Sequence, residues 1–490
     1  MSSGVGRAIW VASARVAQGA AFFDLDRTLL SGASGPVLSE AMRDAGVVSR
    51  KLPGERLLYG LFNRVGENLP SIGLARQAVR FVRGRAQSAM RDAGRQAGPV
   101  LAAAVQPYAP RLFDEHRAAG RPIVLATTTP YDLIAPFAEA LGIDDVIATR
   151  YGVDAEGNYN GSIDGPFVWA AGKLSAVRDW AVRHDVDLSE SWAYSDSVFD
   201  SPLLSAVGHP VAVNPDPRLL ALSILRRWPV LHLDVAPGVL KLPVLGLEVQ
   251  DLARVFARPE LIPYARFDIE GTERIPVVGP AILVANHRSY FDAVAVALVI
   301  ARSGRTARFL GKKEVFDAPV VGALVKAVGG IRVERASGSD EPLRAAADAL
   351  AAGELVCLMP EGTIPRGRAF FDPVLKGRWG AARLATMSKA PVVPVGLWGT
   401  EQVWPRSSRV PNVLNLTSPP TIRVRVGDPV DLKYRSTAKD TERIMTAISA
   451  LLPPESRVRR EPTPDELARS FPPGYKGDPD AEPARRPGQD

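Results

Sequence analysis

The feature that most constrains this chain is an alternation met twice: a short apolar run that stops on polar residues, a stretch of helical periodicity, then another such run. In the first third the runs are AAFFDL, PIVLAT, DVIATR and SWAYSD, separated by segments such as YDLIAPFAEALG and AGKLSAVRDWAVRHD. This is the pattern of an open parallel α/β sheet, whose ligands sit at the C-terminal ends of the strands. From about residue 262 to 435 it recurs, with AILVAN, ARFLGK, ELVCLMP, PVVPVGLW and TIRVRVG as strands and FDAVAVALVIARSG, EPLRAAADALAAG and WGAARLATMSKA as helices. A chain of 490 residues has room for two such units and their connections.

Residues of about 35–105 interrupt the first unit. They are rich in Ala, Arg and Leu without strand alternation, as in SIGLARQAVRFVRGRAQSAMRDAG, and read as an inserted helical cap. The expected organisation is an α/β domain over 1–217 with this cap, an apolar linker over 218–260, a second α/β domain over 261–435, a C-terminal helix over 436–452, and a disordered tail over 453–490 with nine prolines among charges. The linker carries Arg227, Trp228, Asp234 and Lys241 among residues such as Leu240, Leu242 and Leu245. It reads either as a packed connection or as an interfacial anchor with Trp228 and the arginines at headgroup level.

Net charge is +7, which favours an anionic partner such as lipid, a phosphorylated metabolite or nucleic acid. No nucleic-acid module is present, and the few aromatics are not interleaved with basic residues, so nucleic acid is not among the expected partners. The single cysteine, Cys357, excludes a disulfide framework and a thiolate zinc site. The N-terminus lacks the apolar core of a signal peptide, and no run of 18 uncharged apolar residues occurs. The expected location is cytoplasmic, peripheral on the inner face of the cell membrane.

In AAFFDLDRTLLSG an apolar strand delivers Asp24 to a sheet edge, with Asp26 two residues on. Asp24 can attack a phosphoryl group to give an aspartyl-phosphate, while Asp26 protonates the leaving alkoxide and later activates water. Two carboxylates repel a phosphate dianion, so the site calls for Mg²⁺ on oxygen ligands. WAYSDSVFDSPLL supplies Asp196 and Asp200 for this, AAGKLSAV supplies Lys173 to neutralise the phosphate, and IVLATTTP supplies Thr127 and Thr128 to orient it.

This ordered set resembles the haloacid dehalogenase superfamily over about residues 20–217, and the helical insert resembles its phosphoserine-phosphatase-like branch. The resemblance implies a Rossmann-like fold, Asp24 as nucleophile, Asp26 as acid/base, Thr28 and Asp200 in support, Thr127 and Lys173 on the phosphate, and Mg²⁺ held by Asp24, Asp26 and Asp196. The Asp at position 26 points to a phosphatase rather than a dehalogenase. Phosphoserine phosphatases carry an acid shortly after the first motif to hold the substrate amine; LLSGASGPV has none before Glu40, which argues against serine phosphate.

The second unit places His287 and Asp292 in NHRSYFD, where a strand turns into a helix. Such a histidine can take the proton of a substrate hydroxyl as it attacks a thioester, with the aspartate holding the imidazole tautomer. GGIRVER places Arg335 after a strand, and MPEGTIPRG places Glu361, Gly362 and Thr363 after another, with Arg366 and Arg368 close by. A Gly-Thr turn flanked by arginines suits a phosphate. The four blocks, with APVVPVGLWG, resemble the glycerolphosphate acyltransferase family, in particular bacterial 1-acylglycerol-3-phosphate acyltransferases, over about 262–435. The resemblance implies His287 as base, Asp292 as its partner, and Arg335, Glu361, Gly362 and Thr363 on the acceptor's phosphate, with Lys312 and Lys313 as extra contacts. Many members have an arginine after the Gly-Thr pair; Ile364 stands here, so phosphate binding must lean on Arg335, Arg366 or Arg368.

The expected protein is a bifunctional phospholipid-synthesis enzyme with Mg²⁺ as cofactor. It takes a phosphomonoester in one domain, and acyl-CoA or acyl carrier protein with a lysophospholipid acceptor in the other, docked peripherally on a membrane. Two alternatives are an active acyltransferase with a regulatory or scaffolding first domain, and a phosphatase with a lipid-binding second domain.

Overall fold

The computed structural model describes residues 18–48, 69–236, 239, 241, 247–312, 316–317, 329–333 and 341–476. The chain divides into two compact units, Met1–Val235 and Ala236–Asp490. Each is α/β and built on one seven-stranded sheet.

In the first unit the strands are β1 (Ala21–Phe23), β2 (Ile123–Pro130), β3 (Asp145–Val153), β4 (Tyr159–Asp164), β5 (Trp192–Ser195), β6 (His209–Val213) and β7 (Val230–Leu231), in the order β4-β3-β2-β1-β5-β6-β7. All pairs are parallel except β3 with β4. Ala21, Phe22 and Phe23 are at most 1% exposed, as a central strand covered on both faces must be. Phe22 meets Trp180 edge-on and Phe23 stacks on Tyr194, which fixes β1 against the helix Ala171–Arg183 and against β5. β1 therefore ends between β2 and β5, and the residues that follow these three strands converge on one edge.

The insert leaves the sheet at Leu30, bridged to Val105, and contains the helices Gly35–Asp44, Leu69–Phe81 and Gln87–Ala103. Gly94 lies so close to the backbone carbonyls of Asp132 and Leu133 that a Cβ would collide with them, so the last of these helices is seated on the helix Tyr131–Ala140.

The second unit has β8 (Arg266–Glu270), β9 (Ala281–Ala285), β10 (Ala307–Lys312), β11 (Ile331–Val333), β12 (Leu355–Leu358), β13 (Val392–Trp398) and β14 (Thr421–Val426), ordered β11-β10-β12-β9-β13-β14-β8. Among the described strands only the β13–β14 pair is antiparallel. Every residue of β9 is fully buried, and the C-terminal ends of β9, β12 and β13 stand side by side. No helix among the described residues is long and apolar enough to cross a membrane.

Two boundaries differ from expectation. The first unit does not end at 217: Pro217–Arg226 is a helix capped by the side chain of buried Asp216, and β7 extends the sheet. The stretch 218–231 is thus part of the first unit, not a linker, because its Leu219 and Trp228 pack into the core around Phe22. Leu240, Leu242 and Leu245 lie outside the described residues. The tail is not disordered up to 476. Pro454–Arg457 is a helical turn, and Pro464–Arg469 is a helix opened by a Thr463/Glu466 capping box. Buried Ser470 accepts the N–H of Gly367 at 2.9 Å, and the Arg469 carbonyl accepts that of Ser407 at 3.3 Å. Proline content suggested disorder, but Pro464 stands at the first helical turn, where a missing N–H costs nothing.

Candidate active sites

In the first unit Asp24 follows β1, and Lys173, only 2% exposed, reaches it from the first turn of Ala171–Arg183. Its Nζ lies 2.8 Å from Asp24 Oδ1 and 2.6 Å from Asp200 Oδ2. Gly172 makes this approach possible, since a Cβ there would strike the Phe167 carbonyl. Ser195 Oγ donates to the same Asp200 oxygen at 2.7 Å. Asp200 Oδ1 is buried and has no hydrogen-bond partner. Thr28 Oγ1 accepts the N–H of Asp196 at 3.0 Å and faces Asp24 Oδ2 at 3.4 Å, so it ties the first motif to the last. Asp26 accepts the Ser34 N–H at 2.5 Å. Burial raises its carboxyl above the ordinary value, opposed by that N–H and by the charge of Lys173.

Thr127 lies in β2 where its register with β3 breaks, 2% exposed, with its Oγ1 accepting from Thr129 N–H at 3.2 Å, while Thr128 turns away to donate to the Val168 carbonyl. Sequence reasoning missed Arg27. It sits between Asp26 and Thr28 with φ +59°, its Nε is 3.4 Å from Asp196 Oδ2, and its Nη1 is buried without a partner. A positive φ at a non-glycine residue is the only signal, and it is not visible in a sequence.

Among the described residues no three His, Cys, Asp or Glu side chains form a preformed metal cage. Mg²⁺ does not require one, because it is commonly held by one or two carboxylates with water and substrate oxygens completing the shell. The oxygen-only donors here, and the partnerless Asp200 Oδ1 beside them, fit such an ion.

In the second unit Asn286 locks the end of β9 to β13: its Nδ2 donates to the Leu397 carbonyl at 2.9 Å and its Oδ1 accepts the Leu397 N–H at 2.7 Å. His287 follows, one-fifth exposed, with Nδ1 2.8 Å from Asp292 Oδ2. Asp292 opens the helix Asp292–Arg302 and is fully buried. Its Oδ2 also accepts the N–H groups of Arg288 and Ser289, at 2.6 and 2.8 Å, and its Oδ1 accepts Thr400 Oγ1 at 2.6 Å. A carboxylate on Nδ1 sets the tautomer that leaves Nε2 free to take a proton.

Glu361, 2% exposed, accepts the backbone N–H of His287 at 2.8 Å. This bond gives Glu361 a role the sequence did not suggest, as an acceptor that positions the backbone of His287. Gly362 takes φ +71° in the turn behind it. Arg366 lies 5.0 Å over the Tyr475 ring and Arg368 donates to Glu461 at 2.6 Å, so both engage the C-terminal segment. Arg335, Lys313 and the side chain of Lys312 lie outside the described residues.

Sequence reasoning also missed Thr400 and Arg288. The Arg288 guanidinium sits between the rings of Phe370 (4.3 Å) and Trp398 (4.2 Å) and donates to Glu401 at 2.9 Å. Their signal was adjacency, to His287 and to the Gly399 turn that ends β13. Cys357 is inert: burial pushes its thiol up to about 12.

Residues 21–205 match the haloacid dehalogenase-like hydrolase family, and residues 266–398 match the acyltransferase family. A relative from Streptomyces azureus, named for inhibition of morphological differentiation, is 31% identical over half of this chain and 87% of its own length. A phosphoserine phosphatase of Mycobacterium tuberculosis is 32% identical over 44% of this chain and 71% of its own. The solved structure of a 1-acyl-sn-glycerophosphate acyltransferase from Thermotoga maritima is 22% identical, covers 41% of this chain and 79% of its own, and has a TM-score of 0.32. The chain belongs to the haloacid dehalogenase-like hydrolases through its first unit and carries an acyltransferase-family domain in its second.

Proposed function

We propose that the chain is a bifunctional enzyme of phospholipid synthesis. Its first unit hydrolyses a phosphomonoester. Its second transfers an acyl group from acyl-CoA or acyl carrier protein to the sn-2 hydroxyl of 1-acylglycerol-3-phosphate or a related lysophospholipid. The observation that carries the acyl-transfer reading is the His287–Asp292 pair at 2.8 Å, with the carboxylate fully buried and both of its oxygens held by further hydrogen bonds. In this reading His287 Nε2 takes the acceptor's hydroxyl proton as oxygen bonds to the thioester carbon. The C–S bond then breaks, and the imidazolium returns the proton to the departing thiolate. Gly362, Thr363 and Arg335 bind the acceptor's phosphate.

In the first unit Asp24 attacks phosphorus, Asp26 protonates the leaving alkoxide, and Asp26 then removes a proton from the water that releases phosphate. Lys173 offsets negative charge at Asp24, and Thr127 binds a phosphoryl oxygen. Asp24, Asp26 and Asp196 would hold Mg²⁺, which supplies charge neutralisation for the phosphoryl group when bound. The buried carboxylates support an active rather than a scaffolding domain, because a purely structural role has no use for mutually repelling charges.

Purified protein incubated with lysophosphatidate, isotopically labelled acyl-CoA and a panel of phosphomonoesters tests both halves by mass spectrometry of products. Labelled phosphatidate and released phosphate are expected. Absence of acyl transfer to every lysophospholipid offered would remove the reading of the second unit.

A further inference from the structure

Among the described residues of the second unit, two groups of exposed apolar side chains lie outside the proposed chemistry and can be compared. One is on the helix Val249–Phe256, where Leu252, Val255 and Phe256 are 43–69% exposed. Gln250 of that helix bonds both the N–H and the carbonyl of Ala307, at the start of β10, so this patch lies at the edge of the sheet away from His287. The other is the loop 405–420, where Val410, Val413, Leu414 and Leu416 are 67, 45, 87 and 58% exposed. This loop leaves the C-terminal end of β13 and returns into antiparallel β14, so it stands on the same edge as His287, Glu361 and Thr400.

The loop is built to hold those side chains outward. Its own polar groups are used internally: Asn412 N–H donates to the Val403 carbonyl, Trp404 Nε1 to the Ser408 carbonyl, and Asn415 Nδ2 to the Ser418 carbonyl, at 2.8–3.1 Å. Pro405, Pro411, Pro419 and Pro420 stiffen it. It is also continuous with the site, since the Trp404 carbonyl accepts Ser289 Oγ at 2.6 Å and the Trp404 ring lies 5.5 Å from that of Tyr290, itself 45% exposed. No Asp or Glu occurs from Gln402 to Gly427, and Arg409 is exposed beside Val410.

We infer that the loop 405–420 is a docking surface for an anionic lipid bilayer, with Val413, Leu414 and Leu416 inserted among the acyl chains and Arg409 at the headgroups. A cluster of exposed apolar residues marks an interaction site. Apolar insertion beside an exposed arginine, in a stretch without acids, is the chemistry of a lipid interface, where acids would be repelled by anionic headgroups. The inference rests on the acyl-transfer reading only for the continuity of loop and site: an acceptor embedded in the bilayer would meet Tyr290 and His287 without crossing water.

The test is sedimentation of the full chain with vesicles of phosphatidylglycerol and phosphatidylcholine, with no acceptor present. The wild type should bind, and high salt should weaken binding only in part, because charge is screened and buried apolar area is not. Leu414→Ser with Leu416→Ser should weaken binding roughly 100-fold, given the transfer free energy of two leucine side chains. Both residues are exposed, and unchanged thermal unfolding would show that the fold survives. Phe256→Ser, on the remote helix, should leave binding unaltered. Wild-type binding by the Leu414/Leu416 variant, or loss of binding with Phe256→Ser alone, overturns the proposal. Acyl transfer to a soluble short-chain lysophosphatidate, measured in parallel, separates the two readings: loop-dependent binding without any transfer removes the acceptor assignment and leaves the docking surface, while transfer with loop-independent binding removes the docking surface alone.

Discussion

The backbone N–H of His287 donates to Glu361 Oε1 at 2.8 Å, across 74 residues of sequence. The bond joins the loop after β9 to the loop after β12 and leaves His287 anchored from two sides, by its backbone N–H on Glu361 and by its ring Nδ1 on Asp292. Glu361→Ala leaves this half-buried N–H without its partner, at a cost of about 1 kcal/mol. It should lower the acyl-transfer kcat roughly 10- to 100-fold with little change in KM, whereas Glu361→Gln, which keeps an acceptor oxygen, should restore most of the rate. A Glu361→Ala enzyme altered only in KM for the acceptor would return this residue to phosphate binding.

Asp292→Asn keeps the shape of the pair but offers Nδ1 the wrong partner. By the logic of a carboxylate that sets an imidazole tautomer, kcat for acyl transfer should fall about 10³- to 10⁴-fold. His287→Ala should fall within about 10²- to 10⁴-fold. Thr400→Val, which removes the hydroxyl on the far oxygen of Asp292, should cost less than either. Rates measured with saturating donor check the order; equal rates for Asp292→Asn and wild type would exclude the assigned role.

The two chemistries should separate by mutation. Asp24→Asn removes the nucleophile of one site, and the residues of the other site all belong to the second unit, so phosphate release should vanish while acyl transfer continues at near wild-type rate. Both activities on one preparation settle it, and phosphatase turnover that survives would sink Asp24 as the nucleophile.

Much of this was legible in the sequence because strands that end in chemistry announce themselves. Asp24, Lys173, Asp196 and Asp200 were readable from type and order, since a parallel sheet sends the ends of β1 and β5 to one edge. What could not be read was who pairs with whom. Glu361 was assigned to phosphate on the strength of its neighbours Gly362 and Thr363, and only the fold shows its carboxylate turned to His287 N–H. Thr400 and Asp292 are 108 residues apart, a distance that no local pattern spans. The tail failed for a different reason. Composition reports average solvation, whereas one buried hydroxyl, Ser470, and one capping box were enough to order 464–470.

His116 gives the first unit a dependence on pH. It is 2% exposed, with Nε2 2.8 Å from Tyr194 Oη and Nδ1 3.1 Å from Arg121 Nη1. Burial, then the Arg121 charge, lowers its value from 6.5 to about 4. Above 6.5 the ring is neutral in folded and unfolded chains alike; between 6.5 and about 4 only the unfolded chain takes the proton, so stability falls as pH falls through that window. The loss should approach about 3 kcal/mol at the acid end. Urea midpoints for the first unit, compared between wild type and His116→Gln, should show a shallower acid slope in the variant. Parallel slopes for the two proteins would rule out His116 as the source.

The C-terminal segment bears on acyl transfer through the loop 364–372. Ser470 holds Gly367, Glu461 pairs with Arg368, and Arg460 lies 5.3 Å over the Phe371 ring. Next to it Phe370 covers one face of Arg288, the residue after His287. Magnitudes decide which of these matters. The Arg368–Glu461 pair is 62% and 80% exposed and contributes little. The Ser470 bond is buried, so its loss leaves the Gly367 N–H unpaired at about 1–3 kcal/mol. Ser470→Ala should therefore loosen the loop, raise amide exchange over 364–372 and lower the acyl-transfer rate several-fold, while Glu461→Gln does almost nothing. A chain ended after Leu452 should reproduce the Ser470→Ala defect in acyl transfer and exceed it, with phosphatase turnover unchanged. If exchange over 364–372 and acyl transfer both match wild type in the truncated chain, the segment plays no part in holding the site.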